Sequence, residues 1–370
     1  MDTVMLVTPP GASTRLSGTS VLARSLATHG DAFQYRVLSP PDAPALAGPV
    51  ALDPVYRGGS LARSARMLGR VVSGGGSAVH HYFFAPHPKA VRLVRAASVL
   101  ARRPTVHTIP SAPATELNPA LLLFADRTVV MSESTALTFA SSGAPTPTVI
   151  RPGTPVPEAP GDPRAARERL VAADPTLGWG QDPVLLYPGD LSFSDGALTF
   201  IEAAGQLAKE HPTARFALAC RAKTPHAAQV LEEVNRRAGQ LGIADRVHAL
   251  GVVADMASLL AAVDVVVMPV DTLYAKVDVP LVLLEAMALG TPAVVSDLPP
   301  LAELPILGDG VLQVPRSDPR ALAQRLSALL ADPSSWAPLG AAARRLVIDH
   351  FDASAMTEQY ERLYREVLDA

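Results

Sequence analysis

VPLVLLEAMALGTPAVVS, residues 279–296, predicts a buried helix followed by a buried strand. Pro280 can occupy the first turn of this helix, and Gly290 can end it in the left-handed conformation. Glu285 is the only charged residue of the helix, and the residues one turn away are all apolar: Leu281, Val282, Ala288 and Leu289. A buried carboxylate must find hydrogen-bond donors or become neutral. The donors are either groups of its own domain, such as a backbone amide or an arginine, or the two vicinal hydroxyls of a ribose.

Short apolar runs alternate with segments of helical period on both sides of this stretch. In the first half, strands are predicted at 4–8, 35–39, 78–84, 105–108, 127–131 and 148–150. In the second half, they are predicted at 184–187, 216–220, 247–249, 263–268, 293–295 and 311–314. Helices separate the strands in both halves. This β-α-β rhythm predicts parallel sheets that are covered on both faces.

The segment 151–163 interrupts the rhythm with five prolines and two glycines in thirteen residues, a composition typical of a linker. We therefore predict an α/β protein with two Rossmann-like domains, at 1–160 and 175–350, and we assign an amphipathic C-terminal helix over 352–370 to the first. Ligands of open α/β sheets bind beyond the carboxyl ends of the strands. We therefore expect the functional site in a cleft between the domains.

Composition narrows the class of protein. The 370 residues are 48% hydrophobic and 18% charged, as in a compact globular protein. A net charge of −3 gives no global field that favours nucleic acid or an anionic membrane, and 5% aromatic residues are too few for base-stacking platforms. The single cysteine, Cys220, excludes an intramolecular disulfide framework. The N-terminus predicts a strand rather than a signal peptide, and no apolar window approaches 18 residues. We expect a cytoplasmic protein without a transmembrane segment or a nucleic-acid partner, and we leave a peripheral membrane contact and the oligomeric state open.

LLEAMALGTPAVVSD, residues 283–297, resembles the signature segment of glycosyltransferase family 4, whose GT-B fold has two facing Rossmann-like domains with a cleft between them. Similar stretches are LGV at 250–252, AAVDVVVMP at 261–269, ADRTVVMS at 125–132 and VIRPG at 149–153, so that the resemblance spans most of the chain. It implies a retaining glycosyltransferase that moves a sugar from a UDP- or GDP-linked donor to an acceptor hydroxyl. It also implies that Glu285 binds the donor nucleotide, with Leu281 and Val282 beside it. The nucleotide sugar is then a co-substrate, and neither a cofactor nor a metal is expected.

The chain departs from the family pattern at the donor sugar and at the diphosphate. Family members carry another glutamate eight residues before Glu285, where this chain has Val277. We expect Asp278 to replace it as a catalytic residue, with Lys276 and Asp271 as alternatives. The usual arginine and lysine after the first strand of the second domain are absent from 187–196. Because a diphosphate needs positive groups or helix-terminal amides, we expect the phosphate-binding residues Arg221 and Lys223, with Gly189 letting the backbone approach.

In the first domain, the loop 9–20 resembles the glycine-rich loop of the family and makes Gly18 a phosphate-binding candidate. A plain turn before a helix capped by Ser17 or Thr19 is the alternative. Many family members place a histidine at the cleft where His107 ends the strand predicted at 105–108, and we expect His107 to be catalytic. His81 and His87 are expected on the acceptor side, and their spacing does not match a metal-binding HExxH motif.

Two other functions fit the same fold. A nucleotide-sugar epimerase would alter the sugar without an acceptor. A non-catalytic partner protein would bind a nucleotide sugar without turnover, as the missing glutamate and the missing basic pair suggest. A dinucleotide oxidoreductase is disfavoured, because no dinucleotide fingerprint follows either first strand.

Overall fold

The computed structural model describes residues 1–9, 17–113, 117–221, 224–274 and 276–370. The chain divides into two compact units. Unit 1 comprises Met1–Pro155, Ala275–Pro280 and Phe351–Ala370, and unit 2 comprises Val156–Tyr274 and Leu281–His350. Each unit contains a parallel sheet of its own.

Unit 1 contains seven strands: β1 (Thr3–Val7), β2 (Gln34–Leu38), β3 (Val50–Asp53), β4 (Val79–Phe83), β5 (Thr105–Ile109), β6 (Arg127–Val130) and β7 (Thr148–Val149). All pair in parallel, in the order β3-β2-β1-β4-β5-β6-β7. The helices between them are α1 (Gly18–His29), α2 (Ser60–Ser73), α3 (Pro88–Ala101) and α4 (Glu133–Ser141). The C-terminal helix, Ala353–Asp369, also belongs to this unit.

Unit 2 contains six strands: β8 (Val184–Tyr187), β9 (Arg215–Leu218), β10 (Val247–Ala249), β11 (Val265–Met268), β12 (Ala293–Ser296) and β13 (Val311–Val314). They pair in parallel, in the order β10-β9-β8-β11-β12-β13. The helices are α5 (Pro163–Ala173), α6 (Gly196–Glu210), α7 (His226–Gln240), α8 (Met256–Ala262), α9 (Leu281–Ala288), α10 (Pro299–Ala302), α11 (Leu304–Leu307), α12 (Pro319–Ala331) and α13 (Trp336–His350).

Helix α5 occupies part of the segment that the sequence predicts to be a linker. Asp162 accepts a hydrogen bond from the amide of Ala165 at 3.0 Å, and Pro163 fills the first helical position. Arg167 then fixes the helix to the sheet, because its guanidinium donates to Asp264 at 2.8 Å and to the carbonyl of Ala262 at 2.7 Å. The proline-rich composition therefore includes the start of a helix rather than only flexible chain.

The C-terminal helix completes the core of unit 1. Tyr360 and Tyr364 are fully buried in that core. The buried carboxylate of Glu361 accepts three hydrogen bonds through Oε1, from the Tyr35 hydroxyl at 2.8 Å and from two backbone amides, of Asp31 and Ala32, at 3.1 Å each. The last helix therefore contacts the loop before β2 and the start of that strand through one carboxylate oxygen.

Candidate functional site

Helix α9 carries Glu285 on an otherwise apolar element. Pro280 immediately precedes the helix, and Gly290 follows it with a φ of +88°, as the sequence predicts. The residues flanking Glu285, Leu284 and Ala286, are fully buried, whereas Glu285 itself is half-buried. Leu281 and Val282, the first two residues of the helix, are also half-buried. This places two apolar side chains at the start of a buried helix and one carboxylate a turn further along it.

The Glu285 carboxyl has no hydrogen-bond partner among the residues that the structure describes. Burial raises its pKa, and none of the cations in the described ranges opposes that shift. The own-domain amide or arginine that the sequence left as an alternative is therefore not found in the described part of unit 2. A half-buried carboxylate without a donor is suited to bind the hydroxyls of a ligand.

The loop after β8 is shaped by Asp190 and Tyr187. Asp190 Oδ1 accepts hydrogen bonds from the amides of Ser192 and Phe193 at 2.8 Å each, and the Tyr187 hydroxyl donates to the carbonyl of Asp190. Gly189 lies against this ring, since a Cβ atom there would lie 2.0 Å from Tyr187 Cζ. Packing of Tyr187 alone therefore explains the glycine, and a phosphate contact at Gly189 stays a prediction.

Arg221 lies beyond the carboxyl end of β9 and forms an isolated parallel bridge with Asp190. It is half-buried, so part of its surface is open to solvent. The other predicted phosphate-binding cation, Lys223, lies outside the described residues. The structure thus brings Arg221 to the loop after β8, where this chain lacks the basic pair of the family.

The sequence did not predict two contacts between the loops that follow β8 and β11. Asp271 Oδ1 accepts hydrogen bonds from the Ser194 hydroxyl at 2.9 Å and from the Asp195 amide at 2.8 Å, which joins the loops after β8 and β11. Phe193 and Tyr274 pack edge to face across the same loops at 5.5 Å, and 65% of Tyr274 is exposed. The sequence signal for this pair is one aromatic residue in each of the two loops that follow β8 and β11.

Asp278, which we expect to be catalytic, is held by hydrogen bonds within unit 1. It is buried in unit 1, where its Oδ2 accepts hydrogen bonds from Ser132 at 2.6 Å and Thr135 at 2.7 Å. Its amide donates to the carbonyl of Pro110 at 2.8 Å. The carboxylate therefore holds its own segment against the start of α4, and a catalytic role for Asp278 stays a prediction.

His107 lies in the middle of β5 rather than at the end of a strand. Its ring is fully buried between Phe84 and Phe124, at centroid distances of 4.3 and 4.8 Å, and Nε2 donates to the carbonyl of Phe84. Burial lowers its pKa to about 3, so that the imidazole is neutral. The strand continues for two residues beyond His107, and the catalytic role of His107 stays a prediction.

His81 is also a core residue, and its expected place on the acceptor side stays a prediction. Its side chain is fully buried, with Nδ1 2.6 Å from the Tyr364 hydroxyl and Nε2 2.7 Å from Thr108 Oγ1. Both ring nitrogens therefore serve the packing of the C-terminal helix.

His87 and Gly18 lie at the starts of helices. His87 is exposed, and its Nδ1 accepts a weak hydrogen bond from the Lys89 amide at 3.4 Å as the cap of α3. Gly18 is the first residue of α1, after the cap residue Ser17. A Cβ at Gly18 would lie 2.7 Å from Val277, so that packing also favours glycine here. Acceptor and phosphate contacts at these two residues stay predictions.

The buried histidines of unit 1 are expected to make its stability fall in mild acid. Burial lowers the pKa of His80 to about 4 and that of His107 to about 3, from 6.5, and it lowers that of His81 well below 6.5. Below pH 6.5 the unfolded chain therefore binds protons that the folded unit does not, so the free energy of unfolding decreases. At pH 5 each histidine is expected to cost about 2 kcal/mol.

Urea unfolding between pH 7 and pH 4 measures this effect. His107→Gln is expected to give a shallower dependence on pH than the unchanged protein, whereas the same change at exposed His87 is expected to leave the slope as it is. A free energy of unfolding that stays constant from pH 7 to pH 5 would contradict the assignment.

The described residues contain neither a cluster of metal ligands nor a membrane-spanning helix. No group of three or more His, Cys, Asp or Glu side chains in that part of the chain is arranged to hold a metal ion. Likewise, none of its helices has the length and apolar character needed to cross a membrane.

Comparisons with known proteins connect this geometry to a family. Residues 182–332 match the family model described as Glycosyl transferases group 1. N-acetyl-alpha-D-glucosaminyl L-malate synthase of Bacillus anthracis is 34% identical over 128 residues, or 35% of this chain. The match spans about a third of that curated relative, 32% of its length.

Solved structures match over the whole chain. HepE of Anabaena, in a complex with UDP, has a TM-score of 0.79 at 20% identity and covers 99% of this chain and 100% of its own. Sucrose-phosphate synthase of Thermosynechococcus elongatus has a TM-score of 0.79 at 21% identity, with 100% of both chains covered. The structural matches confirm the predicted fold: the chain has the GT-B fold with Rossmann-like domains. The match of residues 182–332 to the group 1 family model makes this part of the chain similar to glycosyltransferases.

Proposed function

We propose that the protein is a retaining glycosyltransferase that moves a sugar from a UDP-sugar to an acceptor hydroxyl in the cytoplasm. The observation that carries the proposal is the half-buried Glu285 carboxylate, which has no donor among the described residues of its unit. A ribose offers two adjacent O–H donors, which match the two oxygens of one carboxylate. The complexes of HepE with UDP and with UDP-glucose support uridine as the base.

The remaining residues support a reaction in which the leaving diphosphate is the base. His107 is neutral and buried, and the carboxylate of Asp278 is hydrogen-bonded within unit 1, so neither is placed to accept the acceptor proton. In a retaining transfer, the acceptor oxygen bonds to the anomeric carbon while the bond to the diphosphate breaks on the same face. The proton of the acceptor then passes to a phosphate oxygen, and the protein orients the reactants and stabilises the phosphate charge.

Arg221→Ala is expected to weaken UDP binding by about 10- to 100-fold, because a hydrogen-bonded charge at a phosphate contributes about 1.5–3 kcal/mol. Uridine, which lacks phosphates, is expected to bind both proteins alike. Calorimetric titration with the two ligands measures the difference, and Arg325→Ala on α12 is the control, since this arginine is exposed and also lies in unit 2. Equal weakening for UDP and uridine would remove Arg221 from the phosphate site.

One alternative has a specific observation behind it. Val277 stands where the family has a glutamate, and the carboxylate of Asp278, its expected substitute, is hydrogen-bonded inside unit 1. The lack of an acidic group at this place fits a non-catalytic partner protein that binds a nucleotide sugar. Incubation with a panel of UDP- and GDP-sugars and mixed acceptors distinguishes the functions. Acceptor-dependent release of UDP supports the transferase, and a changed sugar without release indicates an epimerase. Binding without turnover of any donor in the panel indicates the partner protein.

A further inference from the structure

The charge of the chain is distributed very unevenly. Residues 54–115 contain no aspartate or glutamate, whereas the chain as a whole has a net charge of −3. The same segment contains nine basic residues: Arg57, Arg63, Arg66, Arg70, Lys89, Arg92, Arg95, Arg102 and Arg103. Taking nine from −3 leaves −12 for the rest of the chain. The near-neutral total therefore hides a strongly basic region in unit 1.

Helices α2 and α3 carry most of this charge. Their inner sides pack side by side on the sheet through Met67 and Val71 of α2 and through Val94 and Ala97 of α3. The outer side of α3 is exposed and includes Lys89, Arg92 and Arg95. Among the described residues, Arg70 is the only one of the nine cations with a carboxylate partner, Asp53. We call the exposed side chains of α2, α3 and Arg102–Arg103 the basic face.

Large apolar side chains are exposed on the same face. The exposed fraction is 87% for Leu61, 68% for Val99 and for Leu100, 56% for Leu93 and 41% for Val72. Scattered apolar residues are normal on a protein surface, but here three of them lie on one helix of 14 residues among its arginines. This mixture of cations and aliphatic side chains is typical of helices that lie in a membrane interface.

A depression of about 680 Å³ adjoins the end of α3. Four arginines line it: Arg95, Arg102, Arg103 and Arg127. The one acidic side chain in its lining, Asp126, already accepts hydrogen bonds from the amide and hydroxyl of Thr105 at 2.8 and 2.7 Å. The depression therefore offers several cations to one anionic group of the size of a phospholipid headgroup.

We propose that the basic face docks unit 1 on an anionic phospholipid membrane. The arginines bind the headgroup phosphates, and the leucines and valines enter the boundary between headgroups and acyl chains. A nucleic acid would use the cations alone and would leave the aliphatic side chains in water, and the exposed part of α2 and α3 has no aromatic residue for stacking on bases. Attachment of unit 1 to a membrane does not require sugar transfer, so the two activities can be tested independently.

Sedimentation of the full chain with vesicles tests the docking. The protein is expected to bind vesicles of phosphatidylglycerol mixed with phosphatidylcholine, but not phosphatidylcholine alone, and to be released by salt. Arg92→Gln/Arg95→Gln/Arg103→Gln is expected to reduce the partition coefficient about 100-fold, since each cation near an anionic surface contributes about fivefold. Leu93→Ser/Leu100→Ser is expected to weaken binding without changing its salt dependence.

The matched control changes three exposed arginines of unit 2, as Arg320→Gln/Arg325→Gln/Arg345→Gln, which alters the net charge by the same amount. It is expected to bind like the unchanged protein, and melting temperatures confirm that all variants are folded. Any of three results would overturn the proposal: no binding to anionic vesicles, an equal loss in the control, or binding to duplex DNA but not to vesicles.

Discussion

Replacing Glu285 with alanine is expected to raise the Kd for the UDP-sugar donor roughly 1000-fold while unit 2 stays folded. Two hydrogen bonds from ribose hydroxyls to an ionised carboxylate are expected to contribute about 4 kcal/mol, and alanine leaves both hydroxyls without a partner. Because the carboxyl has no donor among the described residues, its removal takes away a desolvation cost and breaks no observed bond. The free energy of unfolding is therefore expected to stay constant or to rise.

Calorimetric titration with UDP and urea unfolding separate these two effects. Glu285→Gln keeps the size of the side chain but loses the charge, and it is expected to bind donor between the unchanged protein and the alanine variant. Glu232→Ala, at an exposed position of α7, is the control for loss of a carboxylate. A drop in unfolding free energy with unchanged donor affinity would make Glu285 a structural residue of unit 2.

Glu361→Ala is expected to lower the unfolding free energy of unit 1 by about 3–5 kcal/mol, which corresponds to about 10 °C in Tm for a unit of this size. The side chain is 4% exposed, and its Oε1 is the acceptor for the Tyr35 hydroxyl and for two backbone amides. Alanine leaves the buried Tyr35 hydroxyl and two partly buried backbone amides without this acceptor, and the buried hydroxyl in particular cannot recover its hydrogen bond from water.

Calorimetry on the full chain measures the change, with Glu358→Ala as the matched control on the same helix. Glu358 is exposed, and its nearest cation, Arg362, is 4.0 Å away, so its loss is expected to cost less than about 1 kcal/mol. If both variants melt at the same temperature, Glu361 does not hold the helix in the way described.

Much of the fold could be predicted because strand patterns are local. The strands predicted at 184–187, 247–249 and 311–314 have the same bounds in the structure. Strand β3 was missed, since Val50–Asp53 is a partly exposed edge strand of four residues without a continuous apolar run. Helix α5 was taken for a linker because its capping aspartate and first proline resemble loop composition.

The site could be predicted only where the signal lies within one element. Glu285 stands out because its own helix is apolar, whereas the hydrogen bonds of Asp278 come from residues more than 140 positions away. The depth of His107 is set by two phenylalanines from other segments. Contacts between distant positions leave no pattern in a single sequence. A charged residue or a histidine near a motif can therefore belong either to the site or to the core.

The division of unit 1 into three chain segments has a consequence for synthesis on the ribosome. Residues 156–274 and 281–350 lie between the first segment and the C-terminal helix, so all of unit 2 leaves the exit tunnel before unit 1 has its last helix. Glu361, Tyr360 and Tyr364 reach their partners only when residues 351–370 have emerged. The second unit can therefore finish folding first, and until then the nascent first unit exposes the apolar surface that the final helix covers.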